Sequence, residues 1–177
     1  MKTLTLPKIP RTAMDIYEML PEGTLCEVIN NTLYMAPSPN FTHQDTSSDL
    51  FLEIANHVKE NKMGKAWAAP IGVWLDGKNA VEPDIVFLSN SNFEIIQTKG
   101  IVGTPDLIVE ILSPGNNKHD TVKKKNLYEK FGVKEYWIVE PETKAVIGYE
   151  LVSKKFKPFP SAKAIIKSKL LKANFKF

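Results

Sequence analysis

TPDLIVEILSPGNNKHDTVKKKNLYEKFGVKEYWIVEPETKAVIGYEL, residues 104–151, decides the fold class. It opens with DLIVEIL, an apolar run of strand length rich in β-branched residues. Ser113-Pro114-Gly115 ends that run, because proline brings no backbone donor. Residues 117–131 read as a helix that stops at Gly132. EYWIVE and KAVIGYEL then read as a strand pair around a Pro-Glu-Thr turn.

Toward the N-terminus the same signals recur. Residues 1–11 read as an extended arm punctuated by Pro7 and Pro10, and Thr12 is placed to cap a short helix over 13–20. LCEVIN and TLYMAP flank Asn30-Asn31, a hairpin turn signal. Thr42 opens a long helix with Leu50, Phe51, Ile54, Ala55 and Val58 on one face and Gly64 as its stop. AWAAPIGVWL, AVEPDIVFL and PDLIVEIL read as buried strands. The basic stretch from Lys154 is expected to hold short strands that close the sheet edge. The expected fold is an α/β or α+β sandwich, a central mixed sheet with helices on its faces. No linker divides the chain, so residues 1–177 are read as one domain.

Charge is distributed unevenly. From Lys118 onward there are fifteen lysines against six acids, whereas residues 1–117 carry eight basic and fourteen acidic residues. Acidic groups beside a basic surface suit a cation site next to a phosphate ligand. Solvated helix faces are the alternative reading. The single arginine, Arg11, favours backbone contact over base readout. One cysteine, Cys26, excludes an intrachain disulfide and a thiolate zinc cluster. No apolar run is long enough for a membrane span and no signal peptide is evident, so a cytoplasmic location is expected.

The residues of chemical interest are carboxylates in apolar strands. A carboxylate placed there is costly unless it is paired or binds a cation. Alternation puts Asp106, Ile108, Glu110 and Leu112 on one strand face and Leu107, Val109 and Ile111 on the other. Glu82 and Asp84 share a face of their own strand. If the two strands pair, Asp84 and Glu110 converge, and hard cations such as Mg²⁺ take ligands of this kind. An ion pair for Glu110 and a turn-capping role for Asp84 are the alternatives. Lys124 and Tyr128 lie four apart and share a helix face. A lysine near a metal can orient the attacking water or stabilise charge on a phosphate. Glu27 and His43 are further cleft candidates. His57 and His119 have no zinc-like spacing.

These stretches resemble the Uma2 family (DUF820) of restriction endonuclease-like proteins, within the PD-(D/E)XK nuclease superfamily. The resemblance covers roughly residues 10–177. It runs through LCEVINNTLYMAPSPNFTHQ, VEPDIVFLS and, most specifically, residues 104–151 with the run GVKEYWIVEP. It implies a restriction endonuclease-like fold, with Asp84 and Glu110 as the two acidic half-motifs holding Mg²⁺ or Mn²⁺. Leu112 stands where the superfamily carries lysine, and the matching lysine is Lys124 on the following helix. Glu27 and His43 match the family's early glutamate and histidine. The implied activity is endonucleolytic hydrolysis of nucleic acid, DNA in the first instance, with a homodimer suited to cutting a duplex. A non-catalytic nucleic-acid-binding module that keeps the nuclease fold is the alternative.

Overall fold

The computed structural model describes residues 9–21, 23–113 and 118–177, the side chains at 118–120 excepted. The arm expected at 1–11 therefore lies mostly outside the described residues. In chain order the elements are α1 (Ala13–Tyr17), β1 (Cys26–Ile29), β2 (Thr32–Met35), α2 (Phe41–Glu60), β3 (Gly64–Ala68), β4 (Val73–Asp76), β5 (Asn79–Val81) and β6 (Ile85–Ser89). A 3₁₀ turn (Asn90–Ile95), β7 (Ile96–Gln97), β8 (Gly100–Val102), β9 (Leu107–Ile111) and α3 (Lys118–Phe131) follow. The chain ends with β10 (Glu135–Glu140), β11 (Ala145–Val152), β12 (Lys155–Pro158), β13 (Ala162–Lys163), β14 (Ile165–Ser168) and β15 (Ala173–Lys176).

Local chemistry explains several element ends. Thr12 Oγ1 accepts from Asp15 N at 3.0 Å, and Asp15 Oδ2 accepts from Thr12 N at 3.0 Å, a reciprocal cap that starts α1. The α1 helix ends after Tyr17 rather than at 20, because Met19 N and Leu20 N donate to carbonyls three residues back. Asn30 and Asn31 adopt φ of 50° and 59°, as a tight hairpin turn demands. Asn40, not Thr42, caps α2, with its Oδ1 accepting from His43 N at 2.9 Å. Gly64 does not stop α2 either. Lys62 takes the left-handed position at φ 52°, and Gly64 begins β3, where a Cβ would collide with the Leu88 carbonyl. Gly132 does close α3, at φ 87°.

A central mixed sheet runs β12-β11-β10-β9-β6-β3, with β13 also on β11 and only β9 and β10 parallel. Strand alternation feeds two cores. Leu107, Val109, Ile111, Trp137 and Val139 face α2 through Leu50, Ile54 and Val58. The β14–β15 hairpin completes this core with Ile166, Leu171 and Phe175. On the opposite face Val86, Ile108, Tyr136 and Ile138 pack against Leu127 and Tyr128 of α3 and Val73, Val81 and Ile101 of a second sheet. That second sheet runs β2-β1-β5-β4-β8-β7, and α1 covers its outer side through Met14, Val28 and Ala80.

The second sheet departs from the expectation of one sheet between helices. Two runs expected to be single strands each supply two. The first splits at Ala69-Pro70 into β3 of the central sheet and β4 of the second sheet. The other splits at Glu82-Pro83-Asp84 into β5 of the second sheet and β6 of the central one. Proline removes a ladder donor at both breaks. The two crossings lie together, since Ala69 N donates to the Asp84 carbonyl at 2.9 Å.

Glu135 ties the C-terminal hairpin to the central sheet. Buried to 2% exposure, it accepts from Trp137 Nε1 at 3.1 Å, Ser168 Oγ at 2.7 Å and Leu170 N at 2.6 Å. Glu135→Ala leaves three donors unpaired, two of them buried, and is expected to cost about 3 kcal/mol of stability. Urea denaturation checks this, and a midpoint equal to that of the parent protein would refute it.

Candidate active site

The two sheets diverge where both runs cross, and the acidic residues collect in that gap. The β6–β9 register pairs Ile85 with Val109, and one step further it sets Asp84 opposite Glu110. The Ile111 N–H donates to Asp84 Oδ2 at 2.7 Å, which fixes the aspartate beside the end of β9. Glu27 arrives from β1, in the second sheet, and its Oε1 accepts from Glu82 N at 2.9 Å.

Helix α3 reaches into the gap with two side chains one turn apart. Lys124 Nζ donates to Glu110 Oε2 at 3.0 Å and to Glu27 Oε1 at 2.9 Å. Tyr128 Oη donates to Glu110 Oε1 at 2.6 Å. Each Glu110 oxygen therefore has its own donor from α3, which offsets much of the cost of burying it in a strand. Neighbouring Lys123 donates to Tyr34 Oη at 3.0 Å and lies over that ring, a second tie between α3 and the β1–β2 hairpin. His43 enters from the first turn of α2, with Nε2 3.3 Å from Asp84 Oδ1. All five expected residues, Asp84, Glu110, Lys124, Glu27 and His43, line one cavity of about 290 Å³. The site is recessed: side-chain exposure is 17% for Asp84, 10% for Glu110 and 14% for Lys124.

One ammonium cannot balance so many acids. Burial pushes the Glu110 carboxyl up to about 7; Lys124 opposes this, while Glu27 and Asp84 add to it. Burial and Glu27 raise Glu82 as well, against the pull of Lys124. Burial disfavours the Lys124 ammonium, but Glu110 and Glu27 outweigh burial and hold its pKa well above the ordinary lysine value. Burial and Glu110 raise Tyr128 far enough to keep it a hydrogen-bond donor at neutral pH. At His43, burial disfavours the charged ring, yet Asp84 and the Ile111 backbone raise the pKa overall. His43 Nδ1 is buried with no hydrogen-bond partner among the described residues.

A divalent cation suits this excess of negative charge. Mg²⁺ and Mn²⁺ take oxygen ligands, and Mg²⁺ typically uses one or two carboxylates completed by water and substrate oxygens. Asp84 and Glu110 are the two carboxylates here that could supply such a pair. Among the described residues, no three His, Cys, Asp or Glu side chains come together as a metal-holding group, so a closed zinc site is not formed from them.

Asp106, on the same strand face as Glu110, lies outside the site. Its Oδ2 accepts from Ser89 N at 2.8 Å, Ser89 Oγ at 3.0 Å and Asn92 Nδ2 at 3.2 Å, and Lys134 pairs with its other oxygen. Burial opposes ionisation of Asp106, but Lys134 and Ser89 lower its pKa overall. A depressed folded-state pKa adds stability above the unfolded value, about 3.9, which is lost as pH falls through the folded value. Asp106→Asn is thus expected to be less stable than the parent at pH 7, with the gap closing below about pH 4. Thermal unfolding across that range checks this; a gap independent of pH would count against it.

Tyr128 is the contact sequence reasoning missed. Its spacing from Lys124 marked a shared helix face, but an aromatic there reads as core, and the ring is indeed packed on Tyr136 at 4.9 Å. Glu82 lines the cavity too, and its shared face with Asp84 was the available signal. His57 is structural: its Nε2 lies 2.9 Å from the Leu171 carbonyl. The side chains of His119 and Asp120 lie outside the described residues.

The Uma2 family profile, described as "Putative restriction endonuclease", matches residues 14–175. The chain belongs to the Uma2 family. The Uma2 match spans every residue of the carboxylate–lysine cluster. Among solved structures, a protein from Anabaena variabilis ATCC 29413, described as "a putative nuclease belonging to DUF820", superposes with a TM-score of 0.74. It is 23% identical, over 92% of this chain and 91% of its own, and it shows that the fold is shared. No curated protein matches the chain. The fold of this Uma2 member is therefore the mixed-sheet, restriction endonuclease-like one. No helix among the described residues is long and apolar enough to cross a membrane.

Proposed function

We propose that this Uma2 protein is a Mg²⁺- or Mn²⁺-dependent endonuclease that hydrolyses phosphodiester bonds in nucleic acid, with DNA as the first candidate substrate. The observation that carries this reading is the pair Asp84 and Glu110 in one cavity, Asp84 just before β6 and bonded to the Ile111 N–H beside Glu110 of β9, with Lys124 in contact with Glu110.

Asp84 and Glu110 would hold the metal ion, which supplies Lewis-acid stabilisation of the phosphate and a more acidic attacking water. Lys124 carries the only lysine charge lining the cavity among the described residues. Beside Glu110 it would orient the nucleophile and stabilise charge developing on the phosphate oxygens. Glu27 holds Lys124 in place from the other sheet. His43 donates toward Asp84, and Tyr128 toward Glu110, so each proposed ligand is oriented by a neighbour.

The test is cleavage of plasmid DNA and of RNA with Mg²⁺ or Mn²⁺, with and without EDTA. Metal-dependent cleavage supports the reading. Metal-independent nucleic-acid binding without cleavage of either substrate would point to a binding module on the nuclease fold.

A further inference from the structure

Part of the cavity wall beside the proposed metal-binding carboxylates is apolar. Leu25, Ala36, Pro37 and Pro39 from the β1–β2 hairpin and its exit, with Ala69 and Pro70 from the β3–β4 crossing, line the cavity beside Asp84. Backbone hydrogen bonds brace this wall: Ala36 N donates to the Leu25 carbonyl at 2.9 Å and Ala69 N to the Asp84 carbonyl at 2.9 Å. Three of its six residues are prolines with fixed φ, and Pro39 runs directly into the Asn40 cap of α2. The wall is thus built in advance rather than folded over a ligand.

Duplex DNA fits this cleft poorly. A duplex shows proteins its charged backbone and keeps its base faces stacked inside. Proteins hold that backbone with several unpaired lysines or arginines. Here Lys124 is already shared between Glu27 and Glu110, and the facing wall would strip water from phosphates without replacing their partners. The volume, about 290 Å³, sits at the lower end of small-ligand clefts, which start at about 300 Å³. An unpaired nucleotide has the opposite character, with an apolar base face and a single phosphate. Proteins take such bases on apolar and aromatic side chains. Phe41, the first residue of α2 next to the Asn40 cap, lies outside the cavity lining and leaves 89% of its surface in solvent, free to meet a strand that leaves the cavity.

The geometry points to a substrate that is single-stranded or locally unpaired: one nucleotide places its phosphate at Asp84 and Glu110 and its base and sugar on the proline-rich wall, and Phe41 stacks an adjoining base. This rests on the nuclease reading and narrows its substrate class. The test uses the full chain and a fluorescein-labelled deoxyoligonucleotide, alone and annealed to its complement. Binding is followed by anisotropy with Ca²⁺ and cleavage in Mg²⁺ or Mn²⁺. The single strand is expected to bind about tenfold tighter than the duplex and to be cut in preference to it, and Phe41→Ala is expected to remove about tenfold of that binding with thermal unfolding unchanged. Single-strand preference lost in Phe41→Ala, with no cleavage, would leave this inference standing and overturn the nuclease reading. A duplex bound and cut as well as the single strand would overturn this inference and leave the nuclease reading intact. Binding of neither overturns both.

Discussion

Asp84→Ala is expected to abolish metal-dependent cleavage, a loss on the order of 10³-fold or more, while the protein stays folded. Asp84 is one of two carboxylates proposed to touch the metal, and a neutral side chain there removes one of the two proposed ligands. The fold should survive, because Asp84 lies at the crossing between sheets rather than in either core. Its Oδ2 bond from Ile111 N is the main structural loss, worth about 1 kcal/mol. Cleavage rates with Mg²⁺ or Mn²⁺, read alongside thermal unfolding, check both halves. Full cleavage by the variant would remove Asp84 from the mechanism, and an unfolded variant would show that its main role is structural.

Lys124→Met is expected to separate metal binding from chemistry. Methionine keeps the unbranched stem and removes the charge, leaving Glu27 and Glu110 buried without a counter-ion. Breaking a buried ion pair on one side costs about 3 kcal/mol or more, so the metal-free variant should unfold at clearly lower urea concentration. Its carboxylates no longer share an internal cation, so Mn²⁺ should bind at least as tightly as in the parent and restore part of the lost stability. Cleavage should nevertheless fall by about 10²-fold or more, because no other lysine lines the cavity among the described residues. Calorimetric titration with Mn²⁺, urea denaturation and cleavage rates read the three effects separately. Weaker Mn²⁺ binding with proportionally slower cleavage would recast Lys124 as a support for the metal site alone.

Period-two alternation was enough to split residues 106–112 into two faces, and the structure buries those faces in two different cores. It also made the approach of Asp84 to Glu110 conceivable, because one antiparallel register sets them opposite each other. Asn30-Asn31 and Gly132 were legible because their backbone angles need those residue types. Sheet membership was not legible. AWAAPIGVWL is equally apolar on both sides of Pro70, and nothing local records that Trp67 and Trp74 belong to different sheets. The crossing that builds the cleft was therefore hidden, although Pro70 and Pro83 mark where it happens. The lysine displaced from position 112 was read from family resemblance, and only the packing of α3 shows that Lys124 Nζ reaches Glu110. Leu112 packs with the second core, where an ammonium would lack an apolar-compatible partner. Tyr128 was placed on the Lys124 face but given no role, because one side chain serves two ends: its ring is core, and its hydroxyl holds Glu110. The charge asymmetry was real in sequence but does not map to one surface. Lys125 and Lys155 lie on the α3 and β12 side, whereas Lys167, Lys169, Lys172 and Lys176 belong to the C-terminal hairpin region over the opposite core.

The pairing of Asp84 with Glu110 as a metal site is tested most directly by anomalous diffraction from crystals soaked in Mn²⁺. A single strong peak within coordination distance of one oxygen of each carboxylate, with Lys124 Nζ still beside Glu110, is the expected result. No peak between these two side chains at saturating Mn²⁺, or a peak held by other residues, would contradict it.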